Sequence, residues 1–159
     1  PKGRALADEL VYRVVAESST QIADLATGQA DLIVRFPREQ APGVVDAGFL
    51  ALARRRGIAF VFTDSTDHPS FADTTADFVY ARLMRARADV ATGYRASELA
   101  AWARRARTWA DGGEPDDLPR IAPPVPGGKR RDVFIFFISA AKERNPAAAM
   151  ALIRKLQTT

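Results

Sequence analysis

A small set of polar residues stands at or near the ends of runs of β-branched and aromatic residues, where a substrate could reach them. The set contains one carboxylate, two arginines, a tyrosine, a histidine and a serine: Asp64, Arg35, Arg82, Tyr80, His68 and Ser139. An arginine can pair with a phosphate or carboxylate through two parallel hydrogen bonds, and a carboxylate can act as a general base. The pattern favours an anion-binding site in which Asp64 and Tyr80 are the catalytic candidates and the other four bind the substrate.

Each candidate also has a plainer structural interpretation. Asp64 could cap the turn that follows it, the two arginines could be held in salt bridges, and a lone loop histidine such as His68 is more often incidental. The chain has no cysteine and a single histidine. A thiolate metal site is therefore excluded, and a zinc site or a Ser-His-Asp relay is disfavoured. We expect no metal and no cofactor.

The elements that must position these residues are read from four β-branched and aromatic runs, at 30–36, 58–64, 77–84 and 132–139. They alternate with Ala- and Arg-rich segments of helical spacing, which is typical of an α/β fold with βα units on a parallel sheet. In a parallel barrel the reactive groups lie at the carboxyl ends of the strands. Counting with a period of two places Phe78, Tyr80 and Arg82 on one face, directed into the barrel mouth. The same counting pairs Ile33 with Arg35, Phe62 with Asp64, and Phe137 with Ser139 at the other three strand ends.

Three helices are indicated by capping residues and apolar spacing. Asp46 is a good N-cap for a helix that Gly57 ends. A second helix is predicted over 97–110, with Trp102 and Trp109 in the core. A third has Asn145 as its predicted N-cap and Pro146 at its first helical position. Its apolar stripe is expected to pack on the final strand, and consists of Ala149, Leu152, Ile153 and Leu156.

The remaining segments are less regular. Residues 114–129 contain five prolines and are expected to form an extended surface loop. Within residues 1–29, the segment 10–15 could be a strand or part of a helix, and 19–26 resembles a short capped helix. The chain does not begin with Met, so its start is interpreted as a truncation or a processed end.

Charge and hydropathy limit the partners. The 23 Lys and Arg residues against 19 Asp and Glu give a net charge of +4. The arginine clusters suit an anionic small molecule or a nucleic acid, although such runs are most often solvated helix faces. No apolar run is long enough to span a membrane, so we expect a protein without membrane contact. The absence of cysteine fits the cytoplasm without proving it.

The order of several motifs resembles the YecE-like family, also called domain of unknown function 72. The motifs are the strand ending Val34-Arg35, Phe49-Leu50-Ala51-Leu52-Ala53-Arg54, Ala59-Phe60-Val61-Phe62-Thr63-Asp64-Ser65, Thr75-Ala76-Asp77-Phe78-Val79-Tyr80-Ala81-Arg82-Leu83, and an aromatic-rich final strand. The resemblance runs from about Leu32 to Leu156. It implies a TIM-like (β/α) barrel of which residues 30–159 are the C-terminal half, preceded by a divergent segment, 1–29.

Some positions depart from the family pattern. Ile33-Val34-Arg35-Phe36 stands where the family has Glu-Val-Arg-His, Arg82-Leu83-Met84-Arg85 replaces Arg-Leu-His-Gly, and Ser139 stands at an end that bears Asn. Two hypotheses stay open. The chain is an enzyme that binds a phosphorylated or nucleic-acid-derived substrate at the rim, or it is a non-catalytic, truncated or degenerate fragment with at most weak nucleic-acid or partner binding. Since a half barrel has exposed edges, a homodimer or poor solubility is expected.

Overall fold

The computed structural model describes residues 11, 13–29, 45–67, 70–124, 128–138 and 140–158. Its contacts divide the chain into two units, residues 1–41 and 42–159. The first unit contains helix α1, Ser18–Ala26, which confirms the short helix predicted at 19–26. Residues 13–17, just before α1, are neither helix nor strand.

The second unit alternates strands and helices. Its elements are α2 (Ala47–Arg56), β1 (Val61–Thr63), β2 (Phe78–Leu83), α3 (Ala96–Ala110), β3 (Asp132–Phe137), a 3-10 turn (Lys142–Arg144) and α4 (Asn145–Gln157). The strands form a sheet of order β1-β2-β3 in which both pairings are parallel. The α/β class and the parallel sheet are therefore confirmed, and they are consistent with part of a (β/α) barrel. The strand predicted at 30–36 lies outside the described residues.

Helix α2 begins and ends where its capping residues predict. The Asp46 side chain accepts a hydrogen bond from the backbone N–H of Phe49 at 2.7 Å, which satisfies one of the free donors of the first turn. Gly57 has φ +63°, and its N–H donates to the carbonyls of Ala53 and Arg54. A left-handed residue of this kind closes a helix at low cost only when it lacks a Cβ atom.

The core lies between one face of the sheet and helices α3 and α4. Val79, Ala81 and Leu83 of β2 are buried there. Trp102 and Trp109 of α3 are buried too, with ring centroids 5.9 and 5.8 Å from that of Phe62 in β1. The prediction that both tryptophans are core residues is confirmed.

Helix α4 is rotated relative to its predicted apolar stripe. Its buried residues are Ala148, Ala151 and Leu152, whereas Ile153 and Leu156 are exposed. The predicted packing of the stripe on the final strand is therefore wrong at Ile153 and Leu156. The small alanines allow close approach to the neighbouring elements, so the buried face follows them rather than the larger side chains.

Hydrogen bonds attach the proline-rich loop to residues that precede β2. In residues 114–124 and 128–131 it forms no helix or strand. Its Pro119 carbonyl accepts the N–H of Ala72 at 2.8 Å, and the buried Asp73 carboxylate accepts the N–H groups of Ile121 and Ala122 at 2.9 and 3.0 Å. These bonds fix the loop to the segment that leads into β2.

Candidate functional site

The sheet has a second face, on which the described residues are exposed or partly exposed rather than buried. Along β2, Phe78, Tyr80 and Arg82 alternate with the buried residues, as predicted. The strand register aligns Val61 of β1 with Tyr80, and Tyr80 with Phe134 of β3. Aligned residues of parallel strands point to the same side. We call this surface the open face, and define it by Val61, Thr63, Phe78, Tyr80, Arg82, Asp132, Phe134 and Phe136.

Aromatic rings make up much of the open face. The rings of Tyr80 and Phe136 are stacked, with centroids 4.9 Å apart and an interplanar angle of 26°. Phe78 and Phe134 meet edge to face at 6.1 Å. Three of these four residues, the phenylalanines, remain exposed. A solvated sheet face usually carries polar side chains. The aromatic composition of the open face is instead typical of a surface that contacts a ligand or another part of a protein.

Arg82 is the cation of the open face and lies at the carboxyl end of β2. It is exposed, and its guanidinium carbon lies 5.9 Å from the centroid of the Tyr80 ring, within the range of a cation–π contact. Within the described part of the chain, no carboxylate lies close enough to Arg82 for a salt bridge. The structural alternative of a salt-bridged Arg82 therefore has no support among these residues.

Asp64 directly follows β1, and its N–H donates to the Arg82 carbonyl at 3.3 Å. Phe62 is buried on the helix-covered face, and Thr63 is the residue aligned with Arg82. The Asp64 carboxylate accepts the Met84 N–H at 2.5 Å and the Tyr94 hydroxyl at 3.2 Å. The Asp64 carboxylate therefore bonds Met84 and Tyr94, whereas counting along the strand had predicted that it would share a site with Tyr80 and Arg82.

The Asp64–Tyr94 pair ties the ends of β1 and β2. Tyr94 is buried, and its hydroxyl oxygen accepts the Arg85 N–H at 2.7 Å. Burial raises the pKa of the Asp64 carboxyl, while the hydrogen bonds from Met84 and Tyr94 act in the lowering direction. Burial and the adjacent Asp64 carboxylate raise the pKa of Tyr94 well above its usual value. The Asp64–Tyr94 pair binds the backbone of Met84 and Arg85, which follow β2, and so holds the residues next to Arg82 in place.

Replacing Asp64 by asparagine is expected to remove a pH dependence of stability. Because the folded pKa is raised, the stabilisation from protonated Asp64 is fully present below the unfolded pKa, about 3.9, and is lost as the pH rises through the folded pKa. Urea unfolding of wild type and Asp64→Asn between about pH 3 and pH 7 measures the difference. Wild type should lose stability relative to the variant as the pH rises.

Asp117→Asn provides a control of opposite sign. The Arg105 side chain hydrogen-bonds Asp117 and lowers the pKa of its carboxyl. Its stabilisation is therefore present above the unfolded pKa and is lost as the pH falls. The quantity compared is the free energy of unfolding of wild type minus that of the variant. If this difference rose with pH for Asp64→Asn, as it should for Asp117→Asn, the result would contradict the burial of Asp64.

The side chains of β3 also point to other faces than counting along the strand predicted. Phe136 is aligned with Arg82 on the open face, whereas Ile135 and Phe137 pack against the core. Phe137 therefore does not point toward the barrel mouth. Ser139, Arg35 and His68, the other predicted substrate-binding residues, lie outside the described residues. Counting along the strands did not identify Thr63 and Phe136 as neighbours of Arg82. Because Phe62 is buried in the core, Thr63, the next residue of β1, points to the open face.

The described residues show neither a metal site nor a membrane-spanning helix. No group of three or more His, Cys, Asp or Glu side chains there could hold a metal ion. None of the helices in those residues combines the length and apolar character needed to cross a membrane.

Comparison with known proteins gives one family. The family described as "Protein of unknown function DUF72" matches residues 41–159, which include every described element of the second unit. No curated protein and no solved structure matches the chain. The family description names no activity, so the function must be argued from the open face itself.

Proposed function

Since the chain belongs to the DUF72 family of proteins of unknown function, we propose that it binds a phosphorylated small molecule of the nucleotide type at the open face. The observation that carries this proposal is Arg82, an exposed guanidinium at the carboxyl end of a parallel strand, beside a stacked aromatic pair. Ligands of parallel (β/α) barrels bind at that end of the strands. No acidic side chain of the described chain pairs with Arg82, so an anionic ligand would supply the missing partner.

The surroundings of Arg82 suit a ligand with both an anionic group and a planar ring. The planar guanidinium can pair with a phosphate through two hydrogen bonds, and its contact with Tyr80 limits its orientations before binding. The exposed ring of Phe136 lies on the strand next to Arg82 and offers an apolar surface to a base. Stacking of a base on an aromatic side chain contributes about 1–3 kcal/mol.

The roles of the two catalytic candidates differ. Tyr80 lies on the open face and carries a phenol that can donate or accept a hydrogen bond. It is the candidate for contact with the reacting part of a ligand. Asp64 is bound to Tyr94 and to the Met84 backbone, so we assign it a positioning role at the rim.

Replacing Arg82 by alanine is expected to weaken binding of AMP at least about tenfold, because a hydrogen bond to a charged group contributes about 1.5–3 kcal/mol. Calorimetric titration of AMP and of inorganic phosphate into the purified chain measures this. Phe136→Ala should weaken AMP binding and leave phosphate binding unchanged, since only AMP carries a ring.

Arg104→Ala is the matched control. Arg104 is an exposed arginine of α3, so its loss changes the net charge equally. Saturable AMP binding that depends on Arg82 and not on Arg104 supports the proposal. Absence of saturable binding, or binding that Arg82→Ala and Arg104→Ala weaken equally and that fades with salt, contradicts it. The salt-dependent result would indicate the alternative function, a fragment with weak charge-driven attraction to nucleic acid.

A further inference from the structure

The aromatic rings of the open face form two successive levels along β2 and β3. Phe78 meets Phe134 edge to face, with centroids 6.1 Å apart, and Tyr80 stacks on Phe136 at 4.9 Å. We call Phe78 and Phe134 the lower pair, and Tyr80 and Phe136 the upper pair, which lies two residues further along both strands. Arg82, two residues beyond Tyr80, has its guanidinium carbon 5.9 Å from the Tyr80 ring and so lies next to the upper pair.

A mononucleotide leaves the lower pair without a role. AMP with its phosphate on Arg82 and its base beside Phe136 contacts the upper pair alone. The lower pair is just as accessible to a ligand, since Phe78 is 37% and Phe134 47% exposed, against 44% for Phe136. Exposed aromatic rings are the surfaces on which the bases of single-stranded nucleic acids stack. The lower pair therefore offers a second base the same kind of surface as the upper pair.

The spacing of the two levels suits bases that are not stacked on each other. Two residues of a parallel strand advance about 6.6 Å, twice the rise of about 3.3 Å per residue. Neighbouring bases of a duplex lie only about 3.4 Å apart along each strand and cover one another's faces. Bases on the two levels must therefore be separated, with the sugar–phosphate backbone extended between them. Single-stranded segments allow this, and some β-sheet proteins stack two or three splayed bases on the aromatic side chains of one sheet face.

The charges of the open face orient such a ligand. Arg82 lies near the carboxyl end of β2, whereas Asp132, the acidic residue of the open face, begins β3 at the opposite end of the sheet. Both residues are exposed. A terminal phosphate is attracted to the Arg82 end and repelled from the Asp132 end. With the phosphate on Arg82, the second nucleotide extends from the upper pair toward the lower pair.

We propose that the ligand of the open face is the phosphorylated end of a single-stranded oligonucleotide, with its terminal phosphate on Arg82, its first base on the upper pair and its second base on the lower pair. This inference rests on the proposed binding of a nucleotide at the open face and names the class of that ligand. It gives Phe78 and Phe134 a role that a mononucleotide does not need. The recognition is by ring stacking, so it tolerates any base, because every base has a π face.

Calorimetric titration of the purified chain compares AMP, ADP and pApA, the dinucleotide of two adenosines with a 5′-phosphate. ADP adds charge to AMP without a second base, whereas pApA adds both. Since one stacked base is gained, pApA should bind at least about fivefold more tightly than either mononucleotide. Phe134→Ala should remove this advantage and leave the AMP affinity unchanged, and Phe134→Leu should do the same because leucine is apolar but not flat. Ile121→Ala, which truncates an exposed apolar residue of the proline-rich loop, is the control and should change neither affinity.

The outcomes separate this inference from the proposed nucleotide binding. A pApA advantage that both Phe134 variants remove and Ile121→Ala keeps supports it. If AMP binds through Arg82 but pApA binds no more tightly than ADP, or if Phe134→Ala keeps the pApA advantage, the oligonucleotide is overturned and the mononucleotide site stands. Equal loss of AMP and pApA affinity in a Phe134 variant with native emission of the core residues Trp102 and Trp109 also overturns it. Absence of saturable binding by all three ligands overturns both proposals.

Discussion

Replacing Glu114 by alanine is expected to lower the free energy of unfolding by about 3–5 kcal/mol, the cost of removing one partner from a buried ion pair. The Glu114 side chain is only 1% exposed. Its Oε1 atom accepts hydrogen bonds from the Thr74 N–H at 2.8 Å and the Thr74 hydroxyl at 2.6 Å. Guanidinium nitrogens of Arg54 and Arg120 each lie 3.8 Å from its carboxylate.

The expected loss is large because Glu114 joins elements that are distant in sequence. Arg54 belongs to the end of α2 and Thr74 precedes β2, whereas Arg120 belongs to the same proline-rich loop as Glu114. Arg54 also donates to the Thr74 carbonyl at 3.1 Å. Arg131 donates a hydrogen bond to the Gly113 carbonyl. Burial lowers the pKa of Arg131, and the negative charge of Glu114 acts in the opposite direction. Without the carboxylate, partly buried positive charges face one another with no counter-charge.

Urea unfolding at neutral pH measures the effect, and Asp117→Asn is the matched control. Asp117 pairs with Arg105 at 2.9 Å, but its side chain is 49% exposed, so the loss there should stay within about 1 kcal/mol. Glu114→Gln, which keeps the size and one acceptor for Thr74, should lie between the two. Equal losses for Glu114→Ala and Asp117→Asn would show that burial of the Glu114 carboxylate does not matter to stability.

Replacing Trp109 by alanine is also expected to cost about 3–5 kcal/mol, from lost apolar contact and the cavity that remains. Trp109 is 1% exposed and is among the largest fully buried side chains of the described chain. Its ring contacts Phe62 of β1 from α3. The variant should therefore loosen the packing of α3 on the sheet whose other side is the open face.

Trp109→Phe separates the apolar part of this effect from the polar part. In the described residues, the indole Nε1 of Trp109 is buried without a hydrogen-bond partner. Its removal relieves an unsatisfied donor, which offsets some of the lost volume, so Trp109→Phe should cost clearly less than Trp109→Ala. Thermal and urea unfolding followed by circular dichroism compare them. A Phe variant as unstable as the Ala variant would mean that the Nε1 group has a partner in solution.

Several parts of the fold follow from local sequence alone. Asp46 and Gly57 mark the ends of α2 because capping depends on the chemistry of the capping residue and its own turn. The alternation in Phe78–Leu83 gives the two faces of β2, since successive side chains of any strand point to opposite sides. Trp102 and Trp109 lie seven residues apart on α3, so they share a face and enter the core together.

The candidate site could be predicted only where it depends on a single strand. Arg82 and Tyr80 are correctly placed on one face because both belong to β2. Phe62 and Phe137 were assigned to the wrong side, since the pairing register decides which residues of β1 and β3 share a face with Tyr80 and Arg82, and a shift of one residue exchanges the faces.

The α/β class, both ends of α2 and the alternation of β2 could be read from the amino-acid sequence, because each depends on residues that are neighbours along the chain. The three-dimensional packing was needed to show that Thr63 and Phe136 flank Arg82, that Asp64 binds Tyr94, and that Glu114 is buried among arginines. Apart from the pair Glu114–Arg120, these contacts join residues that are distant along the chain. Which distant groups meet is settled by the packing of whole elements, which local pattern does not encode.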